Sequence, residues 1–460
     1  MLKKQPAPIP TPPSFRKLLG PSFILLGLGL GSGEIILWPY LAANFGLGIA
    51  WGAVIGITFQ FFINMEIERY ALARGESVFM GLSRRFVWAP YWLITSTLIG
   101  FGWPGIIASS GFLFANVFEG SSTFITIGLL LLIGFILSIG KYIYNTVERF
   151  SQLIIGLGVP FVFILTLFLA NTPDWSVLFS GIVGKGNDYW FLPAGIPLAT
   201  FLAAFAFSGA GGNLNLTQSS YVREKGYGMG FFTEKIKGLF HGQAQHVNLN
   251  GYEFNPTQKN LSTFRAWWTC VNQEHALVFL ATGLLSMLLL MLLSYTTTFN
   301  LSGNASGIQF VVTEARVIGE KTVSVLGSLF AIAMGVMLFS TQFTVMDSTS
   351  RIMSENYAAI LTKKKKTVNL SRAYYIFLWV QILFGILVFA FGFTEPLSLL
   401  ILSAVINALC MFVHIGLVNW LNWKELPYAI QPSRFRRIMI GVAFVFFGLF
   451  SGITIWDKIF

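Results

Sequence analysis

Two short glycine clusters with polar neighbours interrupt apolar stretches of this sequence. The first reads "GLGSGE" at 29–34 and the second reads "FSGAGGNLN" at 207–215. Glycine is a poor helix former, so each cluster predicts a helix break that leaves main-chain carbonyl and amide groups without helical partners. Such groups are suited to binding a small substrate. The predicted substrate-binding residues are Gly31, Ser32, Gly33 and Glu34 in the first cluster, and Ala210, Gly211, Gly212, Asn213 and Asn215 in the second.

Glycine in a membrane helix also permits close helix packing, which is the alternative interpretation of each cluster taken alone. Three features together favour a binding site. Both breaks fall in the middle of an apolar segment, they occupy corresponding places in two halves of the chain, and polar side chains accompany them. Unpaired main-chain groups at that depth are tolerated only where they face a cavity or a ligand.

Few ionisable side chains fall inside the apolar segments, and such residues usually mark function. Glu34 is the carboxylate nearest a segment centre, and it would be the metal ligand if a metal is bound. Glu66, Asp347 and His414 complete a possible proton pathway with Glu34. Each has a structural alternative: Glu66 in an interfacial ion pair with Arg69, Asp347 paired with Arg351 four residues on, and His414 as a buried core residue.

Several amides at or near mid-segment positions are expected to make interhelical hydrogen bonds: Gln60, Asn64, Gln342, Gln381 and Asn407. No lysine or arginine falls at mid-segment. A site with one carboxylate and free carbonyl dipoles favours a cationic substrate, and its oxygen and amide ligands favour a hard cation. Helix amides at the breaks could instead bind a carboxylate substrate.

The elements that would position these residues are membrane-spanning helices. Of the 460 residues, 55% are hydrophobic and 11% are charged, too few charges to cover a soluble protein of this size. A span needs roughly 20 apolar residues. Eleven segments qualify: 18–45, 48–71, 89–117, 122–140, 147–170, 192–220, 274–298, 322–348, 373–393, 396–421 and 436–456.

The net charge of +11 follows this topology, so it does not indicate nucleic-acid binding. With a cytoplasmic N-terminus, all but four of the 30 basic residues fall on the inner side; the exceptions are Lys185, Arg316, Lys321 and Lys458. The positive-inside rule therefore predicts a plasma (inner) membrane protein with its N-terminus inside and its C-terminus outside.

The eleven segments form two blocks of five and one additional span. Residues 1–17 are a predicted cytoplasmic tail, 18–170 the first repeat, 192–421 the second repeat with a cytoplasmic loop at 221–272, and 436–456 the eleventh span. Five is odd, so the second block is inverted relative to the first. Matching glycine-interrupted segments in two inverted halves are typical of secondary transporters. No catalytic motif or cofactor-binding motif was found, and no enzyme activity is expected.

The segment "GPSFILLGLGLGSGEIILWPYLAANFG" (20–46) resembles the opening span of the natural resistance-associated macrophage protein (NRAMP) family. "YNTVERFSQLIIGLGV" (144–159) and "SLFAIAMGVMLFSTQFTVMDSTSRIMSENY" (328–357) resemble its fifth and eighth spans, and "FSGAGGNLNLTQSS" (207–220) resembles its broken sixth span. The resemblance implies a divergent member of that family within the APC superfamily. It implies an all-α LeuT-type 5+5 inverted repeat with helices 1 and 6 broken, and proton-coupled divalent metal transport.

The binding motifs differ from the family pattern. An ungapped match places Gly31, Ser32, Gly33 and Glu34 on the family's Asp-Pro-Gly-Asn motif, so the metal-binding aspartate is replaced by Gly31. Its Met-Pro-His motif falls on Ala210, Gly211 and Gly212, which removes the thioether that favours transition metals and the histidine implicated in proton traffic.

Two functions remain open from the sequence. In the first, Glu34 replaces the lost aspartate and the protein transports a hard divalent cation such as magnesium by alternating access, with a possible coupling proton. In the second, the protein transports, or only senses, a small organic substrate such as an amine or amino acid.

Overall fold

A computed structural model gives the structure of the chain. It describes residues 5–14, 18–233, 235–237, 239, 251–299, 301, 308–363, 368–392 and 396–459. Parts of the predicted tail 1–17 and of the predicted loop 221–272 lie outside these residues.

The described residues form eighteen α-helices and one pair of short parallel strands. The helices are α1 Pro21–Gly29, α2 Trp38–Phe45, α3 Ala50–Arg74, α4 Val78–Arg85, α5 Ala89–Phe101, α6 Gly105–Phe118, α7 Ser122–Ile139, α8 Ile143–Leu169, α9 Thr172–Ile182, α10 Leu198–Ala206, α11 Gln218–Lys225, α12 Gln258–His275, α13 Thr282–Thr298, α14 Gln309–Lys321, α15 Ser324–Lys363, α16 Leu370–Ala390, α17 Pro396–Glu425 and α18 Arg434–Ile459. The strands β1 (Gln5–Pro6) and β2 (Tyr252–Glu253) pair in register.

Within the described part of the chain, nine helices are long and apolar enough to cross a membrane, and the bent pair of helices at 21–45 raises the number to ten. The predicted segment 192–220 is absent from this number because its helix is divided into the short pieces α10 and α11. The predicted segment 18–45 coincides with the bent pair, and each of the remaining predicted segments overlaps one of the nine long helices. Large apolar side chains such as Phe124 (78% exposed) and Phe168 (73% exposed) cover the outside of the bundle, as expected for a surface in lipid.

Shorter helices that the hydropathy pattern did not predict connect the long ones. They are α4, α9 and α14. Helix α9 begins at a capping box in which the Asn171 amide group donates to the Asp174 carboxylate at 3.0 Å. Helix α14 packs beside α15 and buries Glu314.

Arginines gather at one end of the bundle, where α3 and α11 finish and α15 continues: Arg69, Arg74, Arg223, Arg351 and Arg436. We call this the basic end. The strand pair also lies here, because the Arg74 guanidinium donates to the Glu253 carboxylate at 2.8 Å. Besides the strand pair, the N-terminal segment makes a second contact here: the Trp267 indole N–H donates to the Pro10 carbonyl at 2.6 Å.

Candidate functional site

The first break separates α1 from a π-helical turn at Ser32–Leu37, which continues into α2. Helix α1 ends at Gly29, and the two parts of the span are bent by 41°. The Thr341 hydroxyl of α15 lies 2.6 Å from the Leu30 carbonyl oxygen and 3.0 Å from that of Gly27. Helix α15 therefore supplies a partner for carbonyl groups that the break frees. The side chain of Ser32 lies outside the described part of the structure.

The second break lies between α10 and a 3₁₀ turn at Gly212–Thr217, which leads into α11. Gly209, Gly211 and Gly212 have φ angles of +126°, +71° and +51°. Side chains rarely adopt these conformations, so the backbone needs glycine at these positions. Both predicted helix breaks are thus present.

The two breaks are in direct contact. A Cβ atom on Gly33 would collide with the main-chain carbonyl of Phe207, and one on Gly29 would lie 2.7 Å from the Gly209 Cα. The Trp38 indole also donates a 2.9 Å hydrogen bond to the Ser208 hydroxyl. Glycine in the first break is therefore required by the close approach of the second.

Glu34 lies at this contact. Its side chain is fully buried, and neither carboxylate oxygen has a hydrogen-bond partner among the described residues. Oε1 lies 3.1 Å from the position a Cβ on Gly29 would occupy and 3.6 Å from the corresponding position on Gly283. A buried carboxylate without a partner is costly, so this one marks a place where a cation would be stabilised.

The polar residues of the second break face different neighbours. The Asn213 amide donates to the hydroxyls of Ser96 and Thr97 in α5, at 2.8 and 3.0 Å. The Gly211 amide group donates to the Gln60 side chain at 3.1 Å. The Asn215 side chain has no partner on either atom. Ala210 is buried at the break.

His414 reaches the same break from α17. Its Nε2 donates to the Gly212 carbonyl at 2.9 Å, and its Nδ1 has no partner. This contact helps to hold the unwound backbone.

The remaining predicted proton-pathway residues do not join this cluster. The Glu66 carboxylate pairs with Arg69 at 2.7 Å and with Arg436 at 3.4 Å. Asp347 accepts hydrogen bonds from Arg351 at 2.9 Å and from Tyr374 at 2.8 Å. Both carboxylates are therefore engaged with cations at the basic end. Glu66 and Asp347 therefore make the ion pairs with Arg69 and Arg351 that were the alternative interpretation of the sequence.

A buried network of charges fills the basic end. The Arg223 guanidinium donates two hydrogen bonds to Glu355, at 2.8 and 3.0 Å, and the Ser220 hydroxyl donates to the same carboxylate at 2.8 Å. Arg351 bridges Asp347 and Glu224. Arg223, Arg351 and Glu355 are at most 1% exposed. The network joins α11 to α15 with each of these charges paired.

A polar stripe on α3 was not predicted from the sequence. Gln60, Asn64 and Glu68 are spaced four residues apart, so they share one face of the helix. Gln60 binds the second break, donating to the Ala206 carbonyl at 3.1 Å. Glu68 accepts from Gln218 of α11 at 3.2 Å. Asn64 was expected to make an interhelical hydrogen bond, but both of its polar atoms are buried without a partner. The spacing itself was the signal that could have identified the stripe.

The donor set limits the ions that the centre could hold. Among the described residues, no group of three or more His, Cys, Asp or Glu side chains could hold a metal ion. Any ion at Glu34 would therefore depend on this carboxylate together with neutral oxygen ligands. Carboxylate and carbonyl oxygens suit a hard cation and give no preference for a soft metal.

No protein-family model matches the chain, and no curated protein matches it significantly. Solved structures do. The chain is similar to the crystal structure of a histidine-to-alanine mutant of the Eremococcus coleocola manganese transporter, with a TM-score of 0.70 at 12% identity, over 99% of this chain and 90% of that one. A glutamate-to-glutamine mutant of the same transporter matches with a TM-score of 0.68 at 13% identity and the same coverage. Mhp1, a nucleobase-cation-symport-1 family transporter, matches with a TM-score of 0.51 at 12% identity, over 95% of this chain and 88% of that one. The chain therefore has the LeuT-type fold of these transporters.

Proposed function

We propose that this integral membrane protein is a divergent NRAMP-related secondary transporter of a small cation. The observation that carries the proposal is Glu34, a fully buried carboxylate without a partner at the contact between two helix breaks. A cation bound there would pair with the carboxylate and with carbonyl oxygens that the breaks release. The similarity of the fold to a manganese transporter and to Mhp1 supports alternating access.

We further propose a hard divalent cation such as magnesium as the substrate. Magnesium retains several water molecules when bound and needs only one or two carboxylates from the protein, so Glu34 alone could hold it. The close approach of Gly29 to Gly209 favours a small occupant. The absence of a thioether at Ala210 disfavours a transition metal.

A small amine is the second candidate. One carboxylate balances one positive charge, and Glu34 belongs to no described cluster of three or more His, Cys, Asp or Glu side chains. An ammonium group would donate hydrogen bonds to the carboxylate and to nearby carbonyls. The close contact between the breaks makes a compact amine a better fit than an amino acid.

The proposed membrane orientation places the basic end in the cytoplasm, in accordance with the positive-inside rule. The first and second repeats would then be residues 18–170 and 192–421. In this arrangement the paired charges of the basic end would close the cytoplasmic side while the centre is occluded.

Uptake into proteoliposomes tests the proposal. We expect magnesium uptake by the wild-type protein and a loss on the order of a hundredfold in Glu34→Gln, because the carboxylate charge that would pair with the cation is removed. Glu320→Gln alters an exposed carboxylate of α14 and should transport normally. Magnesium uptake that persists in Glu34→Gln would contradict the site.

Parallel assays with methylammonium and manganese separate the candidates. Uptake of methylammonium without magnesium uptake, again dependent on Glu34, would select the amine. Tight manganese binding would contradict the interpretation of the missing thioether and aspartate.

A further inference from the structure

A second group of unpartnered polar atoms lies between α3 and α11, toward the basic end from Glu34. Four oxygen atoms are buried there without hydrogen-bond partners: Oδ1 of Asn64, Oε1 of Glu68, Oδ1 of Asn215 and Oε1 of Gln218. These four residues are fully buried. Buried polar atoms are almost always paired, so four oxygens on α3 and on the segment from the second break into α11, with no partner among the described residues, require an explanation.

Two contacts fix how the helices face each other. Gln60 accepts from the Gly211 amide at 3.1 Å, and Glu68 accepts from the Gln218 side chain at 3.2 Å. The order of these contacts shows that the two segments run in the same direction. Eight residues of α-helix rise about 12 Å, and seven residues that are largely 3₁₀ rise about 14 Å, so the two segments stay in step.

Asn64 and Asn215 lie between those two contacts. Asn64 is four residues from both Gln60 and Glu68, so it shares their face of α3. Asn215 precedes Gln218 by three residues in a stretch that begins as a 3₁₀ turn, where residues three apart are aligned. This register places the two asparagines at the same level along the two segments, one turn from the Glu68–Gln218 hydrogen bond.

The four side chains of this cluster include one carboxylate, that of Glu68. Among the described residues, Glu68 makes no ion pair. The nearby carboxylate of Glu274 interacts with the charge of Glu68, but it is itself satisfied by Ser22. The Ser22 amide group donates to Glu274 at 3.3 Å and its hydroxyl donates at 2.8 Å, and the charge of Lys225 also acts on this carboxylate. Glu68 differs from Glu274 in that its Oε1 has no hydrogen-bond partner among the described residues.

We propose that Asn64, Glu68, Asn215 and Gln218 form a second cation site, separate from Glu34, that binds a monovalent metal ion such as sodium. One positive charge neutralises Glu68, and oxygen atoms from two helices complete the coordination of a hard cation. A proton on Glu68 would satisfy only one of the four oxygens, whereas a metal ion contacts them together. The Nδ2 groups of the two asparagines can donate to water retained by the ion.

This site would also link ion binding to the helix break. Asn215 and Gln218 belong to the segment that follows the glycines of the second break, while Asn64 and Glu68 belong to a continuous helix. A bound ion would fix that segment against α3. The binding of the ion does not depend on the identity of the substrate at Glu34.

Binding of radioactive sodium to the purified full-length protein in detergent, at constant ionic strength maintained with choline chloride, tests the site directly. We expect saturable binding to the wild type. Glu68→Gln should weaken it on the order of a hundredfold, because the charge is removed. Asn215→Ala should weaken it about tenfold through the loss of one neutral ligand.

Two control variants separate this site from other effects. Gln381→Ala removes a buried amide in α16 that donates to Ser350 at 3.1 Å, and should bind sodium as the wild type does. Glu34→Gln should also retain sodium binding, which distinguishes failure of the central site from failure of this one. If Glu68→Gln does not fold, Asn215→Ala and Asn64→Ala decide the result.

Three outcomes would overturn the proposal. They are the absence of saturable sodium binding to the wild type, wild-type affinity in both Glu68→Gln and Asn215→Ala, and displacement of sodium by submillimolar magnesium. The last would show that the cluster prefers a divalent ion.

Discussion

The centre of the molecule and its basic end both bury charged side chains, but they treat those charges in opposite ways. At the basic end, Arg351 contacts two carboxylates, and Glu355 accepts hydrogen bonds from an arginine and from serines. At the centre, Glu34 has no partner. A buried charge with several partners holds helices together, whereas one without a partner is stabilised only by something that binds. The difference separates the part of the molecule that holds its shape from the part suited to a ligand.

The largest expected effect on stability comes from removing one arginine from the buried charge network at the basic end. Arg351→Met leaves Asp347 and Glu224 without their shared cation in a fully buried position. Removing one partner from such a network costs about 3–5 kcal/mol of unfolding free energy. Denaturant or thermal unfolding of the purified protein measures it. The matched control is Arg316→Ala, which removes an exposed 3.7 Å pair with Glu320 and should change the stability by less than about 1 kcal/mol. Equal stability of the two variants would show that the buried charges of the basic end do not hold the helices together.

Glu314 provides an intermediate case. It is buried in α14, and its carboxylate accepts only from the hydroxyls of Ser294 at 3.1 Å and Thr297 at 3.4 Å. Burial raises the pKa of Glu314 from 4.5 to about 8, although these hydrogen bonds lower it. The folded state therefore holds the proton more tightly than the unfolded state. The stability from this group is complete below pH 4.5 and is lost as the pH rises toward 8.

We expect Glu314→Gln to flatten this pH dependence, because the amide does not titrate. Between pH 5 and pH 8 the wild type should lose about 2–4 kcal/mol relative to the variant. Unfolding midpoints across this pH range measure the effect. Parallel pH profiles for the two proteins would show that Glu314 is ionised in the folded state.

The smallest expected effect is a gain. Glu34→Gln replaces a charge that has no partner, so in the absence of ligand it should raise the unfolding free energy by about 1 kcal/mol. Glu355→Gln makes the same chemical change at the basic end and should lower it, because Arg223 would lose the nearer of its two carboxylate partners. Thermal unfolding of the two variants in metal-free buffer compares them. Destabilisation by both would mean that Glu34 is also part of the structural framework.

Local signals in the sequence were sufficient for nine long helices and for the two breaks, whereas the predicted number of eleven spans is not confirmed. The glycines at 209, 211 and 212 adopt backbone conformations that favour glycine, and the positions of the long helices follow from apolar length. The pairing of Asp347 with Arg351 also follows from their spacing of four residues.

Contacts between helices that are distant in the sequence could not be predicted from such local signals. Asn213 and Asn215 are two residues apart in the sequence, yet one binds hydroxyls of α5 while the other has no partner. The role proposed for Glu68 could be recognised only after the structure showed how α3 and α11 align along each other. Helix α14 was missed because it is short and polar on one face, which hydropathy does not detect.

The contacts of the two neighbouring glycines in the first break have a consequence for the evolution of this site. A side chain on Gly31 would meet the side chain of Thr341, so a smaller residue at 341 could make room for an aspartate at 31. A side chain on Gly33 would meet the main-chain carbonyl of Phe207, which no substitution at 207 removes. An acidic residue at 31 is therefore accessible through a pair of compensating mutations, whereas position 33 has no such route. Among descendants of this sequence, residues 31 and 341 should change together, and residue 33 should remain glycine for as long as the two breaks stay in contact.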